Sequence, residues 1–243
     1  MILARYKERR ADSPVAWWTR VVGVGLLGSI LGFWLFGVPG APMLGAIGFL
    51  AALLHALAAA RLPGPAGAVT LVLAAAALGA SSTPGWGAAD LPDGSRINVS
   101  PVGLSHVLTP GTPASGTADC GWHPASGHAQ PCAVIHGGGA SFARLRIVFP
   151  LVIASALAAL VGALFSLRPV WRGRRRLAAG IASAGALAAP ILFASGAPAA
   201  LVPLAGHRFG MGGTLGTMLL SAGALLCVAV AASPRRGPEG DRG

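Results

Sequence analysis

Six apolar runs, broken only by short polar or proline-rich segments, constrain this chain more than any other feature. They cover about residues 20–38, 43–60, 66–80, 147–167, 177–202 and 214–232. All seven acidic residues (Glu8, Asp12, Asp90, Asp93, Asp119, Glu239 and Asp241) fall outside them. At ~1.5 Å per helical residue, about twenty such residues cross the ~30 Å of a bilayer core. The run at 66–80 is the shortest, and it spans only if Ser81 and Ser82 are included or the helix stands nearly upright. The first run exceeds the usual length of a signal-peptide core and lacks a small-residue cleavage pattern, so it reads as retained.

Charge supports a membrane reading over a soluble one. Only 10% of residues are charged against 54% hydrophobic, and mean hydropathy is +0.68. A soluble domain of this size needs about a quarter of its residues charged to cover its cores. The net charge of +11 does not imply nucleic acid, because the cations lie between the runs and form no patch interleaved with aromatics. Fourteen of the eighteen Lys and Arg residues lie on one side of a six-span topology. They are five up to Arg20, Arg61, five from Arg168 to Arg176, and three in the C-terminal segment. Arg96, Arg144, Arg146 and Arg208 fall on the other side. The positive-inside rule then puts both termini in the cytoplasm of a plasma (inner) membrane, with loop 82–146 outside.

The expected fold is an all-α polytopic membrane protein: a bundle of about six transmembrane helices with a small, disulfide-closed, β-containing outer domain between the third and fourth. The segments are a basic tail (1–19), a transmembrane hairpin (20–66), a four-helix module (67–232) and a second cytoplasmic tail (233–243). Trp17, Trp18 and Trp34 suit interfacial anchoring of the first helix. Pro39-Gly40-Ala41-Pro42 predicts a turn, and Pro190 and Pro198 predict a kink or end in the fifth helix. Small residues four apart (Gly180, Ala184, Ala188; Gly212, Gly216, then Leu220) predict close helix contacts. His55, alone of the histidines inside a run, reads as an interfacial or helix-bonded side chain. Arg172, Arg174, Arg175 and Arg176 form a cluster suited to anionic lipid headgroups.

Specific chemistry concentrates in the outer loop. Arg96-Ile97-Asn98-Val99-Ser100 alternates as a strand does and is interrupted at Pro101. Asn98-Val99-Ser100 matches a glycosylation sequon, and 110–116 reads as a linker. Cys120 and Cys132 lie in Asp119-Cys-Gly-Trp-His-Pro-Ala-Ser-Gly-His-Ala-Gln-Pro-Cys132. Outside the cytoplasm that spacing favours a disulfide, which restricts the unfolded chain by roughly 3 kcal/mol. The alternative is a copper, zinc or haem site using Cys120, His123, His128, Cys132 and His136, although their spacing matches no common finger. Cys227, inside the sixth run, reads as a small buried hydrophobe.

These residues carry a resemblance. Positions 67–232 resemble the four-helix membrane proteins of the claudin, peripheral-myelin-protein-22 and SUR7-like type. That group has a Trp, a Gly-Leu-Trp and two disulfide-bonded Cys in an outer loop folded as a small sheet, with an Arg where the next helix begins. The matching positions are Trp86, Gly103-Leu104, Cys120, Cys132 and Arg146, and Arg208-Phe-Gly-Met-Gly-Gly-Thr-Leu-Gly216 looks like the approach to that group's last helix. Ser105 stands where the second Trp would be, Cys120 lies further from Gly-Leu than the pattern has it, and two extra helices precede the module. The resemblance implies a bundle plus sheet and a scaffold or contact role.

Catalytic patterns are sparse. There is no Cys-x-x-Cys pair and no phosphate-binding glycine loop. Gly137-Gly138-Gly139 after His136, with Ser141 nearby, has no G-x-S-x-G elbow to accompany it. The expectation is therefore a non-enzymatic structural, adhesive or complex-assembly protein without cofactor. Its partners would be the lipid bilayer and other membrane subunits or further copies of itself, with no nucleic acid. The rival class is a metal-handling or redox-complex accessory subunit.

Overall fold

The computed structural model describes residues 14–61, 65–82, 85–90, 96–101, 103–107, 117–121, 140–205, 210–211 and 214–233. Among the described residues six helices form as the apolar runs require: α1 (Pro14–Phe36), α2 (Gly40–Arg61), α3 (Ala66–Ala80), α4 (Ala140–Ser166), α5 (Arg172–Ala205) and α6 (Leu215–Ala231). Four of them, α1, α2, α4 and α5, are long and apolar enough to cross a membrane. The shorter apolar pair, α3 at 15 residues and α6 at 17, comes to roughly 22 and 25 Å of helix. Large apolar side chains project outward along the bundle, among them Leu26, Ile30, Phe33, Leu54, Leu73, Leu157, Leu164 and Ile181. A soluble protein does not expose contiguous apolar surface on that scale, and lipid is its natural solvent.

Helices α3, α4, α5 and α6 form one unit, with α4 against α5 as its most extensive contact and α3 packed on α4 and α6. Its core is built largely from alanine at helical spacing, with Leu71, Leu78, Val148, Val152, Phe193 and Leu220 filling the wider gaps. Hairpin α1–α2 docks on this unit through α6, where Val21, Val24, Ala51 and Ala52 meet Leu225 and Ala229. The buried hydroxyls of Thr70, Ser155 and Ser221 each donate to a carbonyl four residues back. A polar group inside a bundle is thereby satisfied without water.

The hairpin shows where small residues matter. A side chain at Gly28 would overlap the Leu44 carbonyl, one at Gly32 the Gly40 carbonyl, and one at Gly48 would lie 2.6 Å from the Val24 carbonyl oxygen. Glycines on both helices thus let the α1 and α2 backbones touch. The expected stripe of Gly180, Ala184 and Ala188 is different: Gly180 has open space where a side chain would go, and Ala184 is exposed. The face of α5 that packs carries Ala179, Ala182, Ala186 and Ala189 instead. Gly212 lies outside the described residues, while Gly216 and Leu220 are buried.

Prolines bear on two further expectations. The α1–α2 turn runs over 37–40, overlapping the expected segment at Pro39 and Gly40, and starts at Gly37, whose φ of +69° is the left-handed conformation glycine adopts freely. The Gly40 N–H donates to its carbonyl at 3.1 Å, and Pro42 sits in the first turn of α2, where the amide hydrogen it lacks has no helical partner to lose. Neither Pro190 nor Pro198 ends α5, which runs unbroken for 34 residues. Each proline removes one backbone hydrogen bond, and Pro190 is buried within the bundle. Helix α4 likewise begins at Ala140, ahead of the apolar run, and passes through Pro150.

Four strands between α3 and α4 and a fifth between α5 and α6 form an antiparallel sheet in the order β4-β3-β2-β1-β5. Its strands are β1 (Gly87–Asp90), β2 (Arg96–Val99), β3 (Gly103–Val107), β4 (Thr117–Gly121) and β5 (Gly210–Met211). The segment read as one strand interrupted at Pro101 is two strands of a hairpin, with Val99 opposite Leu104. A proline between antiparallel strands belongs in the turn, where it costs no ladder bond.

Candidate functional site: the two ends of the bundle

The bundle has a sheet end and a basic end. At the sheet end, the chain leaves α3 through Ser81 and Ser82, whose hydroxyls donate back to Leu78 and Gly79 at 2.7 Å each. Trp86 follows with 0% exposure. Its backbone N–H donates to Val99 at 2.7 Å, and its indole N–H donates to the Ser81 carbonyl at 2.7 Å. The ring meets Phe193 of α5 edge-to-face at 5.2 Å. One residue therefore joins the end of α3, β2 and α5. A second joint comes from the far end of the chain: β5 pairs with β1 (Gly87 opposite Met211, Ala88 opposite Gly210) just before α6. Thr214 caps α6 and donates its hydroxyl to the Gly85 carbonyl. The sheet is held to the bundle at two places distant in sequence.

Other loop positions fall as follows. Leu104 and Cys120 are cross-strand neighbours on β3 and β4, as are Gly103 and Gly121, so the register closes the separation between Gly-Leu and the first cysteine. Arg146 lies exposed within α4, past its first turn. Cys132, His123, His128 and His136 lie outside the described residues, as does linker 110–116. The disulfide and the five-ligand metal site both fall there. Among the described residues, no three His, Cys, Asp or Glu side chains come together. Cys227 is buried in α6 as a free thiol.

The basic end is a hydrogen-bonded junction. His55 on α2 reaches Thr70 on α3 through Nδ1 at 3.0 Å and Ser233, just beyond α6, through Nε2 at 3.0 Å. The Thr70 hydroxyl also donates to the Ala66 carbonyl at 2.8 Å and the Ser233 hydroxyl to the Ala229 carbonyl at 3.3 Å; a neutral imidazole donates to one of the two hydroxyl oxygens and accepts from the other. The helix-bonded expectation for His55 thus becomes a link between three helices. Its signal in the sequence is Thr70, a hydroxyl on the buried face of an otherwise apolar run.

The arginine cluster divides. Arg176 donates to the Ser233 carbonyl, and Arg175 lies across Gly67 and close to Ser166, turned into the bundle. Arg174 is exposed, with its guanidinium 5.8 Å from the centre of the Trp171 ring. Arg168, outside the expected set of four, lies over the same ring at 4.8 Å. Arg172 opens α5, and its side chain lies outside the description. A small space nearer the centre of the bundle, between Leu44, Ala186, Pro190 and Leu220, has a volume of about 10 Å³ and is almost wholly apolar. No family model, curated protein or solved structure matches this chain.

Proposed function

We propose that this chain is a multi-pass membrane protein that serves as a structural, adhesive or assembly subunit, without catalysis, and presents its sheet on the outer side. The observation that carries the reading is the double joint of the sheet: Trp86 buried between α3, β2 and α5, and β5 paired with β1 at the head of α6. A platform held at two places keeps one orientation relative to the bilayer, as a contact surface must. The claudin-like plan belongs to the same proposal, supported by the buried Trp86, the antiparallel sheet and the strand preceding α6. Orientation follows from charge. The arginines of 168–176 gather at the end opposite the sheet, and the arginine-rich end belongs in the cytoplasm.

Labelling of single cysteines in intact cells tests the orientation: Ser115→Cys is expected to react with an impermeant maleimide and Gly173→Cys to react only after permeabilisation. Crosslinking of the full chain in its membrane, with metal analysis of the purified protein, tests the role. A discrete crosslinked assembly, lost in Trp86→Ala while insertion persists, is the expected result. Stoichiometric copper, zinc or haem, removed by His123→Ala or His128→Ala, would replace this reading with the metal-handling one. A chain that is monomeric throughout would refute the assembly role.

A further inference from the structure

The end away from the sheet carries a second surface. Helix α4 ends at Ser166, and Pro169–Trp171 forms a single 3-10 turn before α5. Around this turn Leu164, Leu167, Val170 and Leu177 are exposed, Val170 by 91%. Exposed leucines and valine beside arginines place the turn at the boundary between hydrocarbon and headgroups. Trp171 is braced there by Phe165, edge-to-face at 5.4 Å, and a tryptophan at that depth is the usual interfacial anchor. Arg168 and Arg174, both exposed, have their guanidinium carbons 4.8 and 5.8 Å from the centre of this one indole. Stacking on a fixed ring limits the freedom of each long side chain and leaves its N–H fork available. Among the described residues, the only acidic positions are Asp90 and Asp119, both in the sheet at the other end.

Two exposed guanidinium groups beside one indole offer N–H forks of the kind that bind phosphate oxygens in pairs. We propose that Arg168, Trp171 and Arg174 form a binding site for the phosphate of an anionic phospholipid in the cytoplasmic leaflet. This differs from a site spread over Arg172, Arg174, Arg175 and Arg176, because Arg175 and Arg176 are turned inward. The flanking apolar side chains contact the acyl chains of the lipid whose phosphate is held, which a free anion cannot reproduce.

The test uses the full-length chain in neutral detergent, titrated with a fluorescent short-chain phosphatidylglycerol and with the matching phosphatidylcholine. Phosphatidylglycerol is expected to bind at least about tenfold more tightly, and equal binding of the two would overturn the proposal. At about 1 kcal/mol per arginine near an anionic surface, each of Arg168→Gln and Arg174→Gln lowers affinity about fivefold, and the double variant about twenty- to thirtyfold. Arg144→Gln removes the same charge at the other end and leaves binding unchanged; an equal loss there would reduce the effect to bulk charge. Arg168→Lys with Arg174→Lys keeps the charge without the paired donors and restores only part of the binding, whereas complete restoration would again mean bulk charge. Inorganic phosphate is not expected to displace the lipid at millimolar concentration. Displacement by phosphate alone would make the ligand a free anion and refute the lipid assignment.

Discussion

Replacing Trp86 is the most informative perturbation of this fold. The side chain is fully buried, donates one hydrogen bond of 2.7 Å to Ser81 and packs edge-to-face on Phe193 at 5.2 Å. Truncating a buried Trp to Ala costs about 3–5 kcal/mol through lost burial and the cavity left behind. The edge-to-face contact accounts for about 0.5–1.5 kcal/mol beyond area. Trp86→Phe keeps most of the ring volume but leaves the Ser81 carbonyl without its donor, which costs about 1–3 kcal/mol. The expected order is therefore wild type, then Phe about 2 kcal/mol lower, then Ala about 4 kcal/mol lower. Equilibrium unfolding in mixed micelles of SDS and neutral detergent, followed by ellipticity, measures it. The backbone bond from Trp86 to Val99 survives both changes, so β1 and β2 stay paired and the loss reports anchoring of the sheet to the helices. Trp86→Ala within about 0.5 kcal/mol of wild type, the range of an ordinary surface change, would refute the reasoning. So would Phe proving as costly as Ala.

Glycines give a paired prediction: Gly48→Ala, which would sit 2.6 Å from the Val24 carbonyl oxygen, destabilises by about 1–3 kcal/mol. Gly180→Ala, in open space on a helix, is neutral or stabilising by up to about 1 kcal/mol in the same unfolding assay. His55→Ala breaks two interhelical hydrogen bonds and lowers stability by about 0.5–2 kcal/mol, the range measured for such bonds in membranes; Thr70→Val in the same background adds less than it does alone, as a double-mutant cycle shows for coupled partners. Alkylation of unreduced protein followed by mass spectrometry is expected to leave Cys120 and Cys132 unmodified as a disulfide, and free thiols at both would refute the bond.

Hydropathy made the helices readable, because lipid leaves the backbone few alternatives. It misplaced the start of α4 because Arg144 and Arg146 interrupt the apolar run without interrupting the helix. The sheet was legible only in part. Arg96–Ser100 alternates, but Gly87-Ala-Ala-Asp90 and Thr117-Ala-Asp-Cys-Gly121 have little strand propensity, and two-residue β5 has no pattern at all. Their pairing is set by distant partners, which local composition does not encode. Spacing found small residues in α5 but could not say which faced a neighbour, since alanine covers that helix on all sides. The glycines of the α1–α2 hairpin went unremarked because Gly28, Gly32, Gly40, Gly45 and Gly48 act in concert across two helices. At the basic end, the charge cluster was visible in the sequence, while its division into inward and outward arginines required the geometry of Trp171 and Ser233.

Helix α6 packs against α1, α2, α3 and α5, yet it is the last of the six to leave the ribosome. Membrane chains are made from the N-terminus at about 5–20 residues per second, so for several seconds the hairpin and the first helices of the module sit in the bilayer without their common neighbour. In that interval Ala74, Leu78, Val24 and Ala52 lack their neighbours on α6, and β1 lacks β5. Assembly is thus gated by the arrival of residues 210–231. A ribosome that stops before Gly210 leaves the sheet with its Trp86 joint alone, and α1, α2, α3 and α5 without the helix they share.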